Sequence, residues 1–150
     1  IEVDDDFNEI DSFHAFINPQ RKVPWFVTRI HGLNNEFLDD KPIFSDIGRD
    51  LLLFLEGSEL WAHNMSFDAG MLNAEFARNR LPTLEKVDCR LNCTLQLARS
   101  TFPGQKNSLD ALLDRFAIDR SERRLHGAMI DTRLLVKVYQ NLVSYRTKTS

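Results

Sequence analysis

Apolar residues recur at helical spacing over Phe44, Ile47, Leu51, Phe54 and Leu55, which predicts a helix opened by Lys41-Pro42 and closed at Gly57. A different pattern follows at once. Glu59 to Ala62 is short and mostly apolar, as the end of a buried strand would be. From Ser66 to Arg80 the helical period returns in Phe67, Met71, Leu72 and Phe76, with Ser66 at the N-cap position. A strand that enters a helix through a polar turn puts that turn at the carboxyl edge of a sheet, where open α/β folds bind ligands.

The flanking segments are read in the same way. Ile1-Glu2-Val3 reads as the end of a strand and Asp4 to Asn8 as a polar turn. The alternation from Ile10 to Ile17, ended by Asn18-Pro19, predicts a partner strand, with Ile1 to Val3 pairing with Phe13 to Ile17. Trp25 to Leu33 is mixed in pattern, and Asn34 to Leu38 predicts a short helix. After Arg80-Leu81-Pro82, Val87 to Arg90 predicts a short strand, and Cys93 to Thr101 a helix ended by Phe102-Pro103-Gly104. Asn107 or Ser108 caps a helix containing Leu109, Leu112, Leu113 and Phe116. Asp119 to Arg124 is a charged loop. The last helix runs from about Gly127 to Val143 on a stripe of Ile130, Leu134, Val138 and Leu142, and a polar, frayed tail follows to Ser150. Strands and helices alternate only in part, so the expected class is α/β with a mixed sheet and flanking helices.

Composition narrows the function classes. The 150 residues suit one domain, and 43% hydrophobic with 27% charged residues is an ordinary globular balance. A net charge of -3 argues against a broad basic surface for non-specific nucleic-acid binding, but not against a small site where metal ions supply positive charge. Cys89 and Cys93 are the only cysteines. They are too few for a zinc site and would share one helix face if their segment is helical. Two cysteines with no visible secretion signal fit a reducing cytoplasm, and no apolar run approaches a membrane span.

The chemistry-bearing residues fall at the helix starts. Asp68 lies in the first turn of the helix after the Glu59 to Ala62 strand, beside His63 and Asn64; it is either a site carboxylate or a favourable first-turn acid. His126 precedes the last helix, and Asp131 lies about one turn inside it, next to apolar Leu134 and Leu135. A carboxylate near a core needs a partner or a metal, and a histidine titrating near neutrality suits a general base. His31-Gly32 supplies a further polar candidate, while Arg120, Arg123 and Arg124 are either phosphate contacts or a solvated loop.

His63-Asn64 to Phe67-Asp68, His126 to Asp131, and the stretch 103 to 112 between them resemble, in order and spacing, the DEDDh family of 3′–5′ exonucleases. The likeness is nearest to its proofreading branch, the epsilon subunits of bacterial DNA polymerase III. It runs from Phe13 through Tyr139 and includes Ile30-His31-Gly32-Leu33 and Asp40-Lys41-Pro42. The resemblance implies a ribonuclease H-like fold with a five-stranded mixed sheet. It implies four carboxylates holding two divalent ions, Mg2+ or Mn2+, of which Asp68 and Asp131 are two, and His126 as the general base. It also puts His31, His63, Asn64 and Phe67 around the 3′-terminal nucleotide of DNA, and gives the protein a polymerase catalytic subunit as partner. Hard oxygen ligands suit magnesium, two such ions can activate water and stabilise a leaving oxygen, and an aromatic edge can pack on an unstacked base.

The family's first motif, Asp-x-Glu-Thr on the first strand, has no counterpart here, and Ile1-Glu2-Val3 aligns with the end of the family's second strand. The first strand and two carboxylates are therefore expected to be missing, and the chain as written to be nearly inactive. An exonuclease-like module that binds a DNA end without cutting it, and an exoribonuclease, are the alternatives.

Overall fold

The computed structural model describes residues 1–149. Strands β1 (Glu2–Val3) and β2 (Glu9–Asp11) form an antiparallel hairpin, with Glu2 opposite Asp11 and Val3 opposite Glu9. This corrects the expected pairing with Phe13 to Ile17, and the turn explains it. The Asp4 carboxylate accepts the backbone N–H groups of Asp6 and Asn8, each at 2.9 Å, which closes the chain immediately after Val3 and sets the register. Phe13 and Phe16 instead pack their rings on Phe54 and Phe37, at centroid distances of 5.9 and 5.1 Å.

Helix α1 (Trp25–His31) occupies the segment of mixed pattern, started at Pro24 and stopped at Gly32, whose φ of 76° lies in the left-handed region. Helix α2 (Asn35–Asp39) is capped by the Asn34 side chain, which accepts the Phe37 N–H at 2.7 Å. Helix α3 (Phe44–Leu55) and strand β3 (Glu59–Ala62) lie where the apolar pattern put them. Helix α4 (Met65–Arg78) starts one residue before the expected Ser66 cap, with Asn64 as its cap at φ 80°.

Strand β4 (Arg90–Cys93) begins three residues later than expected, because Glu85–Val87 coils into a short 3-10 turn. That turn is pinned by buried Leu84, whose N–H donates to the Asn73 side chain at 2.9 Å. Cys93 therefore belongs to a strand, and the two free thiols do not share a helix face. Helix α5 (Thr94–Thr101) and helix α6 (Leu109–Arg115) follow, the latter capped by Ser108, which accepts the Ala111 N–H at 3.1 Å.

Helix α7 (Ala128–Thr149) outruns its expected end at Val143. The polar tail is helical because it has partners: Arg146 donates to the Ser100 and Thr101 hydroxyls at 3.0 and 2.9 Å, and Tyr145 packs on Phe102. The expectation of fraying extended to Ser150, which lies outside the described residues.

The class is α/β with flanking helices. Both strand orientations occur, but in two separate two-stranded sheets: the antiparallel hairpin and the parallel pair of β3 with β4. The parallel pair runs Glu59 to Ala62 against Arg90 to Cys93 in register. Its two faces serve different cores. Leu60, Ala62, Leu91 and Cys93 pack with Leu52, Met65, Phe76 and Leu84 beneath α3 and α4. Trp61 points the other way and meets Tyr139 of α7 at 4.5 Å between ring centroids. A second cluster, including Ala98, Leu112, Leu113, Leu134, Val138 and Leu142, joins α5, α6 and α7. Among the described residues no helix is long and apolar enough to cross a membrane.

Two phenylalanines on α4 separate packing from display. Phe76 has no exposed surface, whereas Phe67 is 61% exposed. Phe76→Ala should lower unfolding free energy by about 3–5 kcal/mol, and Phe67→Ala should leave it within about 0.5 kcal/mol, as read by chemical denaturation.

Candidate active site

The parallel register sets Ala62 beside Cys93, so the first residues beyond each strand, His63 and Thr94, are neighbours. His63 Nδ1 lies 2.9 Å from the buried Thr94 hydroxyl, and Nε2 lies 2.7 Å from the Asn107 carbonyl oxygen. A carbonyl only accepts, so Nε2 carries the proton and Nδ1 receives the Thr94 hydroxyl. Burial pushes the His63 pKa down; the Asn107 carbonyl opposes this, the Arg99 charge adds to it, and Asp68 opposes it weakly. The ring is thus a neutral brace with both nitrogens engaged. What it can still offer a substrate is its edge and face.

Asn64 holds the turn at φ 80° and ψ 60°, a left-handed conformation that asparagine tolerates better than most residues. Its carbonyl accepts the N–H groups of Phe67 and Asp68 at 3.0 and 3.4 Å, and Cys93 Sγ accepts the Met65 N–H at 3.4 Å. Asp68 stands in the first turn of α4, exposed as a residue. Protein crowded around its carboxyl still pushes the pKa up, with the His63 field opposing.

The second group forms where α1 meets the start of α7. The His126 N–H donates to the Ile30 carbonyl at 3.0 Å, and Leu125 packs so closely on Gly32 that a Cβ there would come within 2.5 Å of its Cδ1. Glycine is favoured at 32 by its φ of 76°, while the Leu125 methyl is the end of an exposed, flexible side chain that could shift. This clasp brings His31 to the same region as His126, with His31 Nδ1 accepting the Leu33 N–H at 3.0 Å. Asp131 follows in the first turn of α7, its N–H bonded to the Gly127 carbonyl at 2.9 Å.

Between His126 and Asp131 lies a residue that the sequence offered as either a phosphate contact or a solvated loop cation. The Arg123 side chain is only 7% exposed. Its Nε sits 2.7 Å from Asp131 Oδ1, its Nη2 donates to Asp131 Oδ2 at 3.3 Å and to His126 Nδ1 at 2.6 Å, and its Nη1 donates to Asp110. A guanidinium only donates, so His126 Nδ1 accepts and the proton of the neutral ring is on Nε2. Burial works against the Arg123 charge, but the bonds to Asp110 and Asp131 outweigh it and raise its pKa. The same contact holds the Asp110 carboxyl below the usual range.

Asn107 to Asp110 links the two groups. Asn107 is buried; its carbonyl holds His63, and its side-chain oxygen accepts Arg115 at 3.0 Å. One helical turn on, Asp110 holds Arg123, which holds Asp131 and His126. Thr94, Asn107 and Asp110 were not singled out for the site from sequence, and Arg123 was offered only as a phosphate contact or a solvated loop residue. Asn107 and Asp110 read as a cap and a first-turn acid, and Thr94 carried no signal beyond following an apolar strand.

A divalent metal is the group this resemblance implies. Among the described residues no three His, Cys, Asp or Glu side chains converge as ligands. Asp131 Oδ1 is buried against the Arg123 guanidinium and has no surface open to an ion. The carboxylates as arranged do not form a metal cage.

The family model for exonucleases, of the ribonuclease T type, matches residues 1–139. DNA polymerase III subunit epsilon of Rickettsia conorii is 46% identical over 141 residues, which is 90% of this chain and 59% of that protein. The subunit of the same name from Pasteurella multocida is 39% identical over 137 residues, 91% of this chain and 54% of that one. The chain thus spans a little over half the length of these relatives. A solved structure of exonuclease X in complex with 5′-overhanging duplex DNA superposes with a TM-score of 0.60 at 26% identity, covering 93% of this chain and 79% of that one.

The His63 brace gives a pH dependence of known sign. Folding lowers its pKa below the ordinary 6.5, so below that value the unfolded chain binds more protons. The stability it contributes is complete above pH 6.5 and is lost as pH falls from there through the folded value. Melting curves at about pH 7.5 and about pH 5.5 should show a smaller loss for His63→Gln than for the unaltered chain. Equal losses would contradict the buried neutral ring.

Proposed function

The chain belongs to the exonuclease family whose model spans residues 1–139, and from that membership we propose that it is a metal-dependent 3′–5′ exonuclease domain acting on DNA 3′ ends. Residues 1–150 are one such domain, belonging to a proofreading subunit that works with a DNA polymerase catalytic subunit in the cytoplasm. The observation that carries this reading is the link through Asn107 and Asp110, which ties the His63 turn to the His126 and Asp131 group. That link supports reading the two sets of motif residues as parts of one site.

The roles follow from the family's motifs. His126 is 46% exposed and by those motifs is the general base toward water, a role that needs its Nδ1 released from Arg123. By the family's motifs Asp68 and Asp131 would be two of the hard oxygen donors to Mg2+ or Mn2+, ions that when bound polarise phosphoryl oxygens and lower the pKa of water, though in the present arrangement Arg123 occupies Asp131. Phe67, exposed on α4 beside Asn64, offers a face for an unstacked terminal base, with His31 and the His63 ring framing the same nucleotide. The engagement of Asp131 by Arg123 favours a second reading, an exonuclease-like module that binds a DNA end without cutting.

The test is a 5′-labelled single-stranded DNA incubated with the chain and Mn2+. Stepwise shortening from the 3′ end is expected from a protein that also carries the family's Asp-x-Glu-Thr strand, and there His126→Ala or Asp131→Asn should each slow it by about 100-fold or more. Shortening of RNA but not DNA would move the reading to an exoribonuclease. DNA retained in a gel-shift but never shortened would move it to the binding module.

A further inference from the structure

Helix α1 buries none of its residues fully, and its two sides differ. At about 100° per residue, Val27 and Thr28 fall on one side, and Trp25, Phe26, Arg29 and Ile30 on the other. The first pair is half-buried, with the Thr28 hydroxyl donating to the Leu33 carbonyl at 2.9 Å. The other side faces solvent: Trp25 is 70% exposed, Phe26 56% and Ile30 52%. A contiguous apolar patch left open in this way marks a surface that meets another molecule.

Charge narrows what that molecule is. From Ser12 to Asn35 the chain has no aspartate or glutamate, although its net charge is -3. Arg21, Lys22 and Arg29 lie in this stretch and are exposed, and among the described residues no carboxylate lies within ion-pair reach of any of them. The Arg29 guanidinium carbon is 5.7 Å from the Trp25 ring centroid, and Trp25 meets Phe26 edge to face with centroids 6.0 Å apart. Cations interleaved with open aromatic rings suit a single strand of nucleic acid, the rings taking bases and the cations phosphates. An apolar protein partner would account for the rings and leave the acid-free stretch unexplained.

The helix also leads to the candidate site. The Ile30 carbonyl accepts the His126 N–H at 3.0 Å, and His31 is the last residue of α1. At a rise of about 1.5 Å per residue, Trp25 stands about 9 Å from His31 along the axis, the span of two or three stacked nucleotides at about 3.4 Å each. We infer that the outer side of α1 is a single-strand platform: Trp25 and Phe26 stack on bases behind the 3′-terminal nucleotide, and Arg29, with Arg21 and Lys22, meets their phosphates. The platform rests on the DNA 3′-end reading above and extends it from the terminal nucleotide to the strand that follows. It needs no metal ion, so binding is read without one.

The experiment is fluorescence anisotropy of a 5′-fluorescein oligothymidylate of about eight nucleotides in EDTA, with the unaltered chain, Trp25→Ala, Phe26→Ala and Arg29→Gln. All three positions are exposed, and melting curves check that each variant folds as the unaltered chain does. Trp25→Ala and Phe26→Ala are each expected to weaken binding about tenfold, and Arg29→Gln to flatten the log–log salt dependence by about 0.7. Binding should also quench the tryptophan fluorescence of the unaltered chain, and Trp25→Phe should remove that quenching while leaving most of the affinity. Equal affinity in all the variants, or quenching that survives in Trp25→Phe, would overturn the platform and leave the DNA reading standing. No binding by the unaltered chain would overturn the platform, and the shortening assay then decides the DNA reading on its own. Variants that bind DNA normally but lose a concentration-dependent self-association in sedimentation would make α1 a contact between copies and overturn the platform.

Discussion

The parallel pairing of β3 with β4 is the constraint from which the rest of the molecule is arranged. It buries Leu60, Ala62, Leu91 and Cys93 on one side and sends Trp61 to Tyr139 on the other, so it stands between the two apolar clusters. It also ends both strands at one level, which makes His63 and Thr94 neighbours and starts α4 and α5 from the same edge. A one-residue slip would reverse every side chain of β3 and take Trp61 into the α3–α4 core. The site turn and the packing are therefore fixed by a single register.

From that edge outward, polar groups take over the work of apolar ones. His63 reaches Asn107, Asn107 opens α6, Asp110 holds Arg123, and Arg123 closes on Asp131 and His126. Each link is satisfied by a group that only donates or only accepts, so the ring tautomers are set by their neighbours. The backbone clasp between His126 and Ile30, with Leu125 against Gly32, ties α1 to the same cluster. A site assembled this way is ordered by its own charges.

Much of the fold was legible in the sequence, and what escaped has local causes. The apolar periods marked α3, β3, α4, α6 and the stripe of α7, because burial in a core imposes those periods. The first hairpin was misread because alternation from Ile10 to Ile17 outweighed the turn chemistry of Asp4, which sets the register. The last six described residues of α7 looked like a frayed tail because their partners, Ser100, Thr101 and Phe102, lie far away in sequence. Among site residues, His126, Asp131, His63 and Asp68 were visible from their positions at helix starts. Arg123 was visible only as one of three possible phosphate contacts, since one arginine among several in a charged loop differs from its neighbours only through burial, and burial depends on tertiary structure.

The central proposal, which rests on the exonuclease family and not on the carboxylates as they are arranged here, is that Asp68 and Asp131 serve one metal site. Substoichiometric Mn2+ added to the 15N-labelled chain tests it most directly, because paramagnetic broadening falls steeply with distance from the ion. The account predicts that the amides of Met65 to Ala69 and those around His126 to Asp131 broaden together, at the lowest Mn2+ additions. Broadening confined to one of the two groups, or spread evenly over the acidic surface, would contradict it.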